Sequence, residues 1–200
     1  MWGMPVTGDD ATARAYTRRV RPTPLTIRPR DADDVAALVG ILEAQQPGSG
    51  YPVRWPLPFP VEDFIARPSE VAAWVAVDDG AVVGHVALTD VAGGWEADGW
   101  CAGTGLPASA LAAVSVLFVD PTVTGRGVGS SLLEAAVAHA RSLGRTPVLD
   151  VVSESTRAVE LYQRHGWQVV GRARPSWLPP VHEPFLLMAL LAEPADQPVT

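Results

Sequence analysis

The strongest constraint on the fold is an apolar run that passes through a glycine-rich turn into an amphipathic helix. The run LAAVSVLFV, residues 111–119, does not alternate strictly and ends at Asp120 and Pro121, which is typical of a strand buried on both faces. After the turn, Gly144 is placed to end a helix in a left-handed conformation. Apolar residues lie on one face of that helix at helical spacing: Leu132, Leu133, Ala136, Val137 and Ala140. This order of strand, turn and helix predicts an α/β unit.

The turn carries three glycines, Gly125, Gly127 and Gly129, in the stretch TGRGVG. A helix start has unpaired backbone N–H groups and the positive end of the helix dipole, and glycines leave room for an anion beside them. The sequence therefore favours a phosphate-binding turn, although a plain structural connection has the same pattern. The sequence contains no P-loop motif, and its glycine spacing, after a mid-chain strand, differs from that of a dinucleotide-binding fingerprint.

The rest of the chain predicts further strands and helices. A Gly-containing connection at residues 79–80 predicts a hairpin within residues 71–90. Two stretches rich in Pro or Gly, 45–64 and 91–107, are predicted to be largely loop, with one short helix near residues 61–66. The other predicted elements are strands at 25–29, 147–152, 167–171 and 185–191, a helix that contains residues 35–42 and a helix that ends near residue 166.

Length and charge limit the number of domains and the class of partner. Two hundred residues suit one α/β domain, predicted over residues 23–193, between a flexible arm at 1–22 and a loose tail at 194–200. Acidic residues exceed basic ones by 22 to 15, for a net charge of −7, and no stretch gathers Lys and Arg into a stripe. Nucleic acid is therefore not an expected partner.

Cysteine content and hydropathy indicate the compartment. Cys101 is the single cysteine, so the chain has neither an internal disulfide nor a cysteine pair for zinc, and no metal is expected. No window approaches the ~18 consecutive apolar residues of a spanning helix, and the N-terminus lacks the features of a signal peptide. We therefore expect a soluble protein of the reducing cytoplasm that does not associate with membranes.

Two segments within residues 111–171, LFVDPTVTGRGVGSSLLEAA and LDVVSESTRAVELYQRHGWQVVG, together resemble the GNAT superfamily of acetyl-CoA-dependent N-acyltransferases. The resemblance implies a single GNAT-like domain of the α/β (α+β) class, with a central mixed, mostly antiparallel sheet flanked by helices, and acetyl-CoA as acyl donor. The family pattern Gln/Arg-x-x-Gly-x-Gly/Ala corresponds to TGRGVG, with Thr124 where Gln or Arg is usual. It implies that the turn holds the CoA pyrophosphate, largely through backbone amides, with these predicted contacts: Thr124, Gly125, Arg126, Gly127, Val128, Gly129 and Ser130.

The family's second pattern, Asn-x-x-Ala-x-x-x-Tyr-x-x-x-Gly-Phe, corresponds to these positions: Ser155, Ala158, Tyr162, Gly166 and Trp167. Ser155 stands where the family's Asn contacts the pantetheine arm of CoA, so it is a predicted cofactor contact. Tyr162 matches the family's general acid, and the ordinary pKa of a tyrosine, about 10, suits a group that protonates the leaving thiolate. Packing on the helix face is the alternative role for Tyr162.

Acyl transfer also needs a donor for the thioester oxygen and a base for the amine. The resemblance implies that a backbone N–H is freed where the central strand splays, at Leu117, Phe118 or Val119. Many family members carry a Glu on that strand, whereas residues 111–119 contain neither a carboxylate nor a histidine. The role of base must therefore move to another residue, be filled by water or be absent. The candidate side chains are His85 on the preceding strand and Glu96 or Asp98 in the long loop.

Aromatic side chains in irregular segments are candidates for the wall of an acceptor pocket or for the packing of loops: Tyr51, Trp55, Phe59, Trp95, Trp100 and Trp177. Tyr51, Trp55 and His85 are the predicted acceptor contacts. The favoured function is an N-acetyltransferase that moves an acetyl or short acyl group directly from acetyl-CoA to a primary amine of a small molecule or peptide. A homodimer is compatible with this resemblance. A regulatory acyl-CoA-binding module without catalysis and a nucleotide- or FMN-binding domain are the alternatives.

Overall fold

The structure is a computed structural model that describes residues 25–192. The predicted arm at 1–22 and tail at 194–200 lie outside the described residues. The strands are β1 Thr26–Pro29, β2 Glu70–Asp78, β3 Ala81–Asp90, β4 Leu111–Val119, β5 Thr146–Val151, β6 Gln168–Ala173 and β7 Phe185–Ala189. The helices are α1 Asp34–Ser49, α2 Val61–Ile65, α3 Ala97–Thr104, α4 Val128–Ser142 and α5 Thr156–Arg164. Within residues 25–192, no helix is both long enough and apolar enough to cross a bilayer.

The seven strands form one sheet in the order β1-β2-β3-β4-β5-β7-β6. Every neighbouring pair is antiparallel except β4 and β5, which confirms the predicted mixed, mostly antiparallel sheet. The predicted hairpin is also confirmed, because β2 and β3 pair across Asp79 and Gly80, both of which have positive φ. The parallel pairing of β4 with β5 covers only residues 111–113 and 146–148. Beyond these residues the two central strands diverge, and the sheet opens between them.

Helices cover both faces of the sheet. The apolar face of α4 packs into the larger core cluster, in which Leu132 and Leu133 are almost completely buried. On the other face, α1 inserts Leu38 and Leu42, which have no solvent exposure, into a second cluster with α2 and β2. Burying each leucine stabilises the fold by about 1.5–3 kcal/mol relative to an exposed position. The two helices therefore fix β3 and β4, the strands that carry the site, from opposite sides.

The loop prediction for residues 91–107 is wrong for the stretch that forms α3. Glycines allow this helix to lie directly on β6 and β7: a Cβ at Gly99 would collide with the Leu187 side chain, and one at Gly103 with the Val170 backbone. Trp100 is only 2% exposed and donates from Nε1 to the Leu149 carbonyl at 3.2 Å. It therefore anchors the helix in a third core cluster.

The first predicted loop also begins later than expected. Helix α1 continues through Pro47 to Ser49 and ends where the Gly50 N–H, at a φ of 68°, donates to the Gln46 carbonyl. Pro47 lies in the last turn of α1, where its missing N–H removes only one hydrogen bond near the end of the helix. Gln45 further ties this end to the following loop, because its side-chain amide donates to the Tyr51 carbonyl at 2.5 Å.

Candidate functional site

The glycine turn presents an open helix start. Gly125 and Gly127 have φ values of 83° and 82°, which non-glycine residues rarely adopt, and a Cβ on either would meet no atom within 4 Å. Gly127 is the N-cap of α4, no side chain of the described residues caps this helix, and its first turn has no acidic residue. The first N–H groups of α4 are therefore available to an anion.

Side chains around the turn have other partners. Arg126, a predicted CoA contact, forms an ion pair with Asp78 at 2.6 Å, so its guanidinium is held against the end of β2. Val128 is 3% exposed and packs in the core, which leaves only its backbone for a ligand. Thr124 is exposed, while Gly129 and Ser130 are half-buried.

A β-bulge interrupts β4 at the opening of the sheet. His85 of β3 pairs with Phe118, but two positions on, Ala87 pairs with Ser115, so β4 has one residue more than β3 between these pairs. The extra length falls at Val116 and Leu117, and Val116 has a φ of 52°, in the left-handed region. Leu117 lines the cavity described below, whereas the Phe118 ring is 4% exposed and lies 5.5 Å from the His85 ring. The backbone groups of Val116 and Leu117 therefore lie outside the regular pairing of β3 with β4, close to the point where β4 and β5 diverge.

A cavity of about 1100 Å³ occupies this opening. Its wall includes β4, β5, the loop after α1, the start of α3 and the start of α5, which bring together residues far apart in the chain. Leu117, Ser155, Tyr162 and Tyr51, all predicted site residues, line it. The turn at 124–130 does not line the cavity and lies beyond the end of β4.

Four carboxyl groups line this cavity, those of Asp63, Glu96, Asp150 and Glu154, together with the guanidinium groups of Arg54 and Arg67. Burial, and to a smaller extent the neighbouring charge of Asp150, raise the pKa of Glu96 to about 7. Burial likewise raises the pKa of Asp150, on β5, while the Arg67 guanidinium opposes the rise in both groups. Of the three predicted base candidates, only Glu96 lines the cavity, because Asp98 is exposed on α3.

Asp150 was missed by the sequence analysis. The signal was a single carboxylate in the apolar strand PVLDVV, where a charged residue is seldom buried without a role. In the structure Asp150 pairs with Leu187 of β7 and its side chain lines the cavity.

Two phenols also line the cavity, those of Tyr51 and Tyr162. Burial raises the pKa of Tyr51 to about 12 and moves that of Tyr162 in the same direction, so both hydroxyls are protonated at neutral pH. The Val116 backbone at the bulge opposes part of the rise in the pKa of Tyr51. The Tyr162 ring packs edge-on against Trp167, with 5.9 Å between ring centroids, and Tyr162 also lines the cavity. The residue therefore has the packing contact that a structural role needs and the access to the cavity that a general acid needs.

Two predicted acceptor contacts do not line the cavity. Trp55 is half-buried outside the lining, although its neighbours Val53 and Arg54 belong to it, because an irregular loop has no periodicity that tells which side chain faces inward. His85 has no solvent exposure and lies on the far side of the bulge, with burial lowering its pKa to about 4. It is therefore neutral and buried away from the cavity, and an acceptor in this cavity would not meet either residue at its wall. Four of the six candidate aromatics do line the cavity: Tyr51, Phe59, Trp95 and Trp177.

A parallel pair that separates, a bulge on one of its strands and a glycine-rich helix start beyond that strand define the fold of the N-acyltransferases that the sequence motifs resemble. The family model described as "Acetyltransferase (GNAT) family" matches residues 37–167, and the chain belongs to this family. Among the described residues, no group of three or more His, Cys, Asp and Glu side chains could hold a metal ion.

Relatives and solved structures agree with this assignment. The chain is 45% identical over 58 residues to the mycothiol acetyltransferase of Propionibacterium freudenreichii subsp. shermanii, a match that covers 28% of this chain and 19% of that protein. It is also similar to an N-acetyltransferase from Staphylococcus aureus Mu50, with a TM-score of 0.64, 19% identity and coverage of 84% and 97% of the two chains. The chain is likewise similar to the Salmonella typhimurium protein yncA, a putative acetyltransferase solved with its cofactor acetyl-CoA. The TM-score is 0.62, the sequence identity is 20%, and the match covers 88% of this chain and 100% of that one. At these identities the structural likeness shows the fold.

Proposed function

We propose that the protein transfers an acetyl or short acyl group from acetyl-CoA to a primary amine of a small molecule or peptide. The observation that carries this proposal is one cavity at the split of the sheet. In its wall, residues assigned to the donor, Leu117 and Ser155, meet the Tyr162 phenol and carboxyl groups that include Glu96 and Asp150. A donor side and an acceptor side thus share one wall, as direct transfer requires.

Acetyl-CoA would lie along the opening between β4 and β5. The free N–H groups at the start of α4 would bind the pyrophosphate, with Gly127 leaving the approach open. Ser155, at the start of α5, would contact the pantetheine arm, and the thioester oxygen would accept a hydrogen bond from the backbone of β4 near Leu117. The bound cofactor of the Salmonella typhimurium neighbour supports this donor.

The acceptor amine reaches the enzyme as an ammonium ion and must lose a proton before it attacks. Glu96, whose pKa is raised to about 7, is suited to take that proton at neutral pH. Asp150 is one of four carboxyl groups in the lining, which outnumber its two guanidinium groups, and this excess favours a cationic acceptor over a neutral or anionic one. Aromatic walls from Trp95 and Trp177 would pack against the apolar part of the acceptor.

The chemistry then balances in one transfer. The amine nitrogen bonds to the thioester carbon, the carbonyl oxygen becomes an oxyanion, and the nitrogen gives up its remaining extra proton as the amide forms. The carbon–sulfur bond breaks, and Tyr162 gives its proton to the departing thiolate. Glu96 then releases its proton to solvent, the second proton from nitrogen also passes to solvent, and Tyr162 regains a proton from solvent. The net products are an N-acylated amine, free CoA and one proton. The proposal places this reaction in the cytoplasm, without nucleic acid or membrane as partner and with a homodimer as an option.

Ligand selectivity and turnover test the proposal together. Acetyl-CoA at ~100 times its Kd should stabilise the fold by about 2.7 kcal/mol, whereas NAD, FMN and ATP should give no comparable thermal shift. Free CoA thiol should then appear only when a primary amine is added. Stabilisation by acetyl-CoA without release of thiol for any amine would instead indicate the non-catalytic binding module. Stabilisation by a nucleotide but not by acetyl-CoA would refute the proposal that this protein transfers an acyl group from acetyl-CoA.

A further inference from the structure

His85 is a buried polar side chain that the proposed reaction does not use. It has no solvent exposure, and its Nδ1 lies 2.9 Å from the carbonyl oxygen of Val116 at the β-bulge. Its other ring nitrogen, Nε2, lies 3.1 Å from Nη1 of Arg30. Both ring nitrogens of this buried histidine therefore have a partner, as expected, because burying a polar group without hydrogen bonds costs free energy.

Arg30 determines which nitrogen of His85 carries the hydrogen. A guanidinium has only donors, so Nε2 must accept from it, and the hydrogen of the neutral ring must lie on Nδ1. His85 therefore donates to the Val116 carbonyl. Burial lowers the pKa of His85 to about 4, which keeps the ring in this neutral form across the working range of an enzyme.

Arg30 is itself held by two further elements of the fold, β2 and α2. Its Nη2 donates to Oε1 of Glu70 at 2.8 Å, and its Nη1 also donates to the Ile65 carbonyl at 3.0 Å. The Arg30 and Glu70 side chains are 11% and 19% exposed, and Oε2 of Glu70 has no hydrogen-bond partner among the residues that the structure describes. A largely buried ion pair is a weak source of stability, so its retention beside the bulge calls for another role.

The peptide between Val116 and Leu117 connects this buried chain to the cavity. In a trans peptide the C=O and N–H bonds point in opposite directions. The Val116 carbonyl is directed at the His85 ring, so the Leu117 N–H of the same peptide is directed away from that ring. Leu117 lines the cavity.

The peptide needs such a support because of the backbone of Val116. Its φ of 52° is a left-handed conformation that a β-branched residue adopts only when the surroundings enforce it. The hydrogen bond from His85 opposes rotation of the carbonyl out of this orientation. Without it, the peptide could relax toward a regular strand and turn the Leu117 N–H away from the cavity.

We propose that His85 is a positioning residue for acyl transfer: held by Arg30 and Glu70, it fixes the Val116–Leu117 peptide so that the Leu117 N–H faces the thioester oxygen. The proposal rests on the proposed function, because it assigns that N–H to the oxyanion. His85 acts through the backbone and touches neither substrate.

Two substitutions separate the two sides of the ring. In His85→Asn the side-chain amide can occupy the place of Nδ1 and donate to Val116, whereas in His85→Gln the side-chain oxygen can occupy the place of Nε2 and accept from Arg30. If His85 had only a structural role, His85→Gln would be the less damaging of the two variants, because it keeps a hydrogen-bond acceptor for the buried Arg30 guanidinium. The positioning role predicts that kcat falls by about 10²–10³ in His85→Gln, the usual effect of losing an oxyanion donor, and is largely kept in His85→Asn. The Kd of acetyl-CoA and the KM of the amine should stay within about threefold in both.

An activity-independent readout uses the Leu117 amide proton in ¹H–¹⁵N spectra of the folded variants. Acetyl-CoA, but not free CoA, should shift this resonance downfield in the wild type and in His85→Asn, and the shift should be lost in His85→Gln. A Gln variant that keeps both kcat and the shift overturns the positioning role while leaving the proposed function intact. An Asn variant that loses both also overturns it. A wild type that shows neither turnover nor the shift overturns the proposed function itself.

Discussion

Replacement of Glu96 by Gln should lower kcat by about 10²–10⁴, because it removes the carboxylate that accepts the ammonium proton. The size of the pH effect follows from the raised pKa of this group, about 7. One pH unit below its pKa a carboxyl group is about one-tenth ionised, and one unit above it about nine-tenths. The ratio of wild-type to Gln-variant kcat should therefore rise roughly tenfold between about pH 6 and pH 8 and then level off.

The assay follows thiol release at saturating acetyl-CoA and amine. Deprotonation of the amine itself affects both enzymes equally, so the ratio of their rates isolates the Glu96 carboxyl. Asp98→Asn is the matched control, since it removes the same charge two residues further along, from an exposed position on α3 outside the cavity. Its rate ratio should stay near one and flat. A ratio for Glu96→Gln that does not vary with pH would refute Glu96 as the base.

Three further outcomes follow from the site. Gly127→Asp should abolish acetyl-CoA binding measured by calorimetry, because it adds a charge where phosphate is to lie; Gly127→Ala, which bears the same penalty for a φ of 82° without the charge, should retain measurable binding. Tyr162→Phe should lower kcat by roughly 10²–10³ with unchanged acetyl-CoA affinity, most severely near pH 9, where solvent protons are scarce; an unchanged kcat from pH 6 to 9 would remove this phenol from the mechanism. Asp150→Asn should move the acid limb assigned to Glu96 to lower pH, because it removes a neighbouring negative charge that raises that pKa, and a limb that stays in place would show that the two carboxyls do not interact.

Local sequence patterns were sufficient for the strand, glycine turn and helix at the centre of the fold. The apolar run of β4 and the face of α4 formed by Leu132 and Leu133 have periodicities that report burial directly. Gly127 could be placed at the helix start because its role depends on its own backbone and the first turn of α4. These features need no knowledge of distant residues.

The acceptor side could not be derived in the same way, because it depends on contacts between distant segments. The sequence could not show that Glu96 and Asp150 face one cavity, since one precedes α3 and the other lies on β5. The position of His85 behind the bulge likewise depends on the register between β3 and β4, which no local pattern specifies.

The helix α3 illustrates a tertiary contact that outweighs local propensity. Glycines lower helix propensity by about 1 kcal/mol each relative to alanine, so Gly99 and Gly103 argue for a loop. In the fold they allow α3 to approach β6 and β7 closely, and Trp100 then buries its ring and satisfies its N–H. The gain in packing exceeds the loss in propensity.

The central claim is direct transfer of the acyl group from CoA to an amine in this cavity. The most direct measurement supplies the enzyme with acetyl-CoA labelled with ¹³C in the acetyl group and a panel of primary amines, and follows the label by mass spectrometry. The label should appear in an acetylated amine in amounts equal to the free CoA released, and at no time on the protein. Label recovered only as acetate, or first on a protein side chain, would contradict the account.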